Sequence, residues 1–142
     1  MSKSTLLVGS LTALVGIGVA AVTIVGSSEK LCAAPATPAT VSFSEDVLPL
    51  LKWRCSSCHQ SGGQGYEKSG LDLTSYAGVM KGTKFGPMVI PADPGTSNLM
   101  VLLDWPSHLS PTIRMPHEQH KRLSVCDRDV IRTWIKEGAR DN

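Results

Sequence analysis

Residues 55–59 read Cys55-Ser56-Ser57-Cys58-His59. The three-residue step places both sulfurs on one side of a helical turn, and an imidazole follows at once. Each thiol can add across one vinyl group of a haem, and the adjacent imidazole can bind the iron. The pentapeptide therefore reads as a c-type haem attachment site, with Cys55 and Cys58 as covalent anchors and His59 as proximal ligand. Rival readings fit less well. A thiol–disulfide site calls for a surrounding βαβ pattern, which is missing. A zinc site needs a second half, and the chain offers only His117-x-x-His120, because Cys32 and Cys126 form no further C-x-x-C. A plain disulfide across so short a spacing closes a strained loop.

Around the motif the pattern is helical. Ser44 is placed to cap a helix, with Glu45 and Asp46 in its first turn and Val47, Leu48, Leu50 and Leu51 leading to Trp53. Pro49 sets a kink or a later start. Gln60 to Gly70 is Gly-rich and polar and reads as loop, followed by isolated Leu71 and Leu73. Thr74 is placed to cap a short helix over 75–81, stopped by Gly82. Thr83 to Thr96 is loop, on Gly86-Pro87, Pro91 and Asp93-Pro94-Gly95. Ser97 to Trp105 is predicted helical, with Leu99, Leu102 and Leu103 on one face. The clearest helix runs from Ser124 to Glu137: Ser124 caps it, Asp127 sits in its first turn, and Val130, Ile131, Trp134 and Ile135 form its buried stripe. No alternating strand pattern occurs. The fold class is mainly α: a small helical domain with long loops wrapped around one haem. A domain of this size needs extra core material, and the haem supplies it.

The 142 residues carry a net charge of +2 and 42% hydrophobic residues, unevenly spread. That balance excludes a nucleic-acid binder driven by bulk charge and excludes a highly charged disordered chain. Leu6 to Gly26 holds no charged residue over 21 positions. As a helix it spans roughly 31 Å, about one hydrocarbon core. Lys3 favours a cytoplasmic N-terminus, which exports the rest. The expected layout is an N-terminal transmembrane anchor or uncleaved signal over 1–26, an Ala/Pro/Thr tether over 27–40, and a monohaem domain over 41–142. The alternative for the first part is a cleaved secretory signal. Gly9, Ala13, Gly16 and Ala20 line one face of the anchor, as in closely packed membrane helices, although small residues are common in such segments. Cys32 and Cys126 are left over. Either they pair and pin the tether to the last helix, or they are independent thiols; spacing cannot show proximity.

The order of motifs resembles a known family. Phe43 to Leu51 (FSEDVLPLL) leads into the C-x-x-C-H, then come Ser69-Gly70-Leu71-Asp72-Leu73, Tyr76 to Gly82 (YAGVMKG), Pro91-Ala92-Asp93-Pro94, Met115-Pro116, and Trp134-Ile135-Lys136-Glu137-Gly138-Ala139. This is similar to single-haem cytochrome c domains of the planctomycete type, within class I, over about 41 to 139. The resemblance implies one covalent haem c with Met115 as sixth ligand.

The residues alone leave several sixth-ligand candidates: Met80, Met88, Met100, Met115, His108, His117 and His120. Met80 and Met100 read as core, and the histidines as exposed loop residues. Met88 stays in play. Met115 lies 56 residues after His59 in a Pro-bounded loop before the last helix. His/Met ligation favours the reduced iron and leaves no open position, which suits electron transfer better than catalysis. The expected function is a membrane-tethered, periplasmic carrier of single electrons with no catalysis of its own. Its expected partners are redox proteins, including a larger membrane complex met through the N-terminal helix, with no nucleic acid and no small-molecule substrate. A haem-based gas or redox sensor, or a small haem enzyme, would need an open or displaceable sixth position.

Overall fold

The computed structural model describes Cys32, residues 40–117 and residues 121–142. The readings of 1–26 as an anchor and 27–40 as a tether fall outside these residues, apart from Cys32 and Thr40. Among the described residues no helix is long and apolar enough to cross a membrane.

The domain is helical, and its described residues contain no strand beyond one isolated Thr83–Gly86 bridge. A π-helical turn, Phe43–Val47, runs directly into α1, Leu48–Arg54. The expected cap is off by two residues. Ser42, not Ser44, caps this start, accepting from the Glu45 N–H, while the Ser44 hydroxyl turns to the Asn142 carbonyl. The wide turn falls just before Pro49. There an α turn would press the proline ring against a carbonyl one turn back, so the kink is taken up by an extra residue per turn.

A short helix α2, Gln64–Ser69, interrupts the stretch predicted as loop, and Gly70 closes it with φ 76°. The glycines that suggested loop lie mostly at its ends or against the neighbouring chain. Helix α3, Tyr76–Lys81, is capped by Ser75 rather than Thr74, whose hydroxyl donates to Asp72. Helix α4, Asn98–Asp104, buries Leu99, Met100 and Leu103. A single 3-10 turn, Pro111–Ile113, stands in the loop that follows. Helix α5, Val125–Lys136, starts on a capping box between Ser124 and Asp127, as its sequence predicts.

The core is built where α5 meets the opening π turn and α4. Phe43, Tyr76 and Trp134 form an aromatic cluster with centroids 5.2 to 6.4 Å apart. Their polar tips are satisfied: the Tyr76 hydroxyl donates to the Ala139 carbonyl and the Trp134 indole to the Arg140 carbonyl. Trp53 stays outside this core and is 76% exposed. Two ties close the domain. Asn142 accepts from the Phe43 N–H, the Ser44 N–H and the Ser42 hydroxyl, and donates to the Val41 carbonyl. Cys32 and Cys126 are joined by a disulfide across 94 residues, which decides between the two open readings of these cysteines.

Candidate functional site

Helix α1 delivers the motif. Its last turn hands over to a tight turn in which the Cys58 and His59 N–H groups both donate to the Cys55 carbonyl. Cys55 is half-buried and Cys58 exposed, and neither is in a disulfide. Burial pushes the Cys55 thiol up to about 11, against the pull of the Arg54 charge. It is therefore a protonated thiol at neutral pH.

Helix α2 folds back over the motif, with the Tyr66 N–H on the Cys58 carbonyl. Glycine is required where it does so. A Cβ on Gly65 would lie 2.7 Å from Cε1 of His59, and one on Gly63 would lie 2.4 Å from the Cys58 carbonyl oxygen. The Leu73 N–H donates to the His59 carbonyl and ties the other side. Burial lowers the His59 pKa, opposed by the nearby Leu71 backbone. Its Nδ1 is buried without a hydrogen-bond partner of good geometry. With one ring nitrogen facing the Leu71 backbone, a neutral imidazole keeps a lone pair on the other, the form that can bind a metal.

The cavity beside this ring has a volume of about 710 Å³ and mostly apolar walls. Ligand clefts fall in that size range. Cys55, Cys58, His59, Leu71, Leu102 and Met115 all line it. The four residues expected at the site thus share one cavity, although His59 and Met115 are 56 positions apart. Met88 lines it as well, at 7% exposure. His117 reaches the same cavity, with its Nε2 engaged by the Thr112 carbonyl at 2.6 Å. Met100 is core at 1% exposure, and Met80 is half-buried against the core. His108 is exposed and lines a separate hollow with Asp104 and Arg132. His120 lies outside the described residues.

The residues present fit a haem. Two thiols, a neutral imidazole and a thioether share an apolar cavity of cofactor size. Sequence reasoning missed the supports of the motif, Gly63, Gly65 and the Leu73 N–H. The signal was available in Gly62-Gly63-Gln64-Gly65, where glycine means close backbone approach as often as it means loop.

No curated protein and no solved structure matches the chain. Residues 55–118 match a family model described as Planctomycete cytochrome C. The match begins at the first thiol of the pentapeptide and ends just past Met115-Pro116, so over the stretch that carries the cavity's chemistry the chain is similar to planctomycete-type cytochrome c domains.

Proposed function

We propose that this domain holds one haem c and passes single electrons between redox proteins while tethered to a membrane on the periplasmic side. The observation that carries the reading is the convergence of Cys55, Cys58, His59 and Met115 on one apolar cavity. When bound, the haem supplies a one-electron couple. The residues of the chain hold and tune it. Cys55 and Cys58 would hold the haem covalently, each thiol supplying the S–H that a vinyl group can take up without a leaving group. His59 offers a neutral imidazole, held by Gly65 and the Leu73 hydrogen bond. Met115 offers a soft thioether, which raises the potential relative to a second histidine. The mostly apolar walls would lower the polarity around the haem, which tunes its potential.

With His59 and Met115 both offering a donor to the same cavity, the iron would keep no position for a substrate, which favours a carrier over a sensor or a haem enzyme. The Cys32–Cys126 disulfide supports an oxidising compartment. The apolar run over Leu6 to Gly26 supports a membrane tether, with its Gly9, Ala13, Gly16 and Ala20 face offered to a partner helix.

The test is direct. Denatured protein should keep its haem stain on a gel, with a c-type pyridine haemochrome and one haem per chain by mass. Haem that extracts into acid solvent would refute covalent attachment.

A further inference from the structure

The loop between α4 and α5 carries Met115, and among its described residues no regular element longer than one turn supports it. Yet the backbone of Met115 is fastened at both polar atoms. Its N–H donates to the Leu102 carbonyl at 3.0 Å, and its carbonyl accepts from the Trp105 indole N–H at 2.6 Å. Trp105 terminates α4 with φ 51°, a left-handed conformation that a bulky side chain rarely adopts. The guanidinium groups of Arg114 and Arg122 lie 5.9 and 5.8 Å from its ring centroid, within cation–π reach. Arg122 in turn donates to the carbonyls of Leu103 and Asp104, at the end of α4. Trp105 is not among the residues that line the cavity. Its indole is strained into place, flanked by cations, and spends its one donor on the carbonyl of Met115.

We infer that Trp105 is a positioning residue: its indole N–H fixes the Met115 backbone and so keeps the thioether in the cavity against exchange with an outside ligand. This rests on the reading of Met115 as the sixth ligand. Without the indole N–H the loop's methionine-off state gains population. An external ligand then binds with an apparent affinity raised in proportion to that population.

The experiment is an imidazole titration of the ferric, haem-loaded full chain, followed by the weak far-red band of a methionine–ferric bond. Trp105→Phe keeps the ring and removes the donor. It should bind imidazole about tenfold more tightly than the wild type, as expected for the loss of one hydrogen bond. Its reduction potential should fall, while covalent haem stays complete. An unchanged imidazole affinity overturns the inference. The two readings fail separately. If Met115→Ala keeps the far-red band, the ligand assignment is wrong and the inference falls with it. If Met115→Ala loses the band but Trp105→Phe matches the wild type, the positioning role alone falls. Should Trp105→Phe not accumulate, proton NMR of the wild type decides. The Trp105 indole N–H should exchange slowly, and faster once imidazole displaces the methionine. Equal exchange in both states overturns the inference.

Discussion

Gly65 lies so close to His59 that a Cβ on the glycine would come within 2.7 to 2.9 Å of three atoms of the imidazole ring. The ring is thus set by what is absent from its neighbour. Gly65→Ala should displace His59, because the ring is the group that the methyl meets. The expected cost is about 1–3 kcal/mol of stability, typical of overpacking. Thermal unfolding of the haem-loaded protein, with the haem yield per chain, measures it. A variant with normal haem yield and unchanged melting would show that the ring adapts freely.

Two methionines line the cavity, Met88 and Met115, and their surroundings separate them. Met88 is 7% exposed and packed in the core, so Met88→Ala should lower stability by about 2–5 kcal/mol and spare the far-red band. Met115→Ala should abolish the band and open the iron to carbon monoxide, with a smaller loss of stability. The reverse pattern of spectra would move the ligand assignment to Met88.

Asp93 gives a pH dependence with a defined sign. The Thr96 hydroxyl and then its N–H donate to the Asp93 carboxylate and hold it below its ordinary value of 3.8. A depressed pKa adds stability above the unfolded value, and that contribution is lost as pH falls through the folded one. Asp93→Ala should therefore be less stable than the wild type at neutral pH and equal to it at the acid end. Urea midpoints across that range check the convergence. A constant difference at every pH would remove the carboxylate from the explanation.

Reduction of the Cys32–Cys126 disulfide should destabilise the domain, because it closes a 94-residue separation. For such a loop the chain-entropy relation gives an expected loss of about 4–5 kcal/mol. The double variant Cys32→Ser, Cys126→Ser should melt at the temperature of the reduced wild type, and reductant should no longer affect it. The spectrum of the haem should stay the same, since neither cysteine lines the cavity.

The parts of this protein legible in its sequence are those written in local chemistry. The pentapeptide of Cys55 to His59 declares its purpose by residue type and spacing alone. Helix α5 declares itself by the Ser124–Asp127 capping box and the stripe of Ile131, Trp134 and Ile135. What stayed illegible depends on distant partners. Ser44 is as good a cap as Ser42 by residue type, and Asn142 draws the Ser44 hydroxyl away. Helix α2 was hidden because Gly65 weakens its helical signal, while its position is dictated by the ring of His59. Pairing of Cys32 with Cys126 and the bond from Trp105 to Met115 join residues whose nearness only the folded chain creates.

The clasp of Asn142 on residues 41–44 also bears on modularity. It holds residues 41 and 142 side by side at one point of the domain's surface. In a circular permutant of residues 41–142, which gives up the Cys32–Cys126 tie, the old ends would need only a short linker, with new ends opened in an exposed turn away from the hydrogen-bonded Asp93–Ser97 stretch.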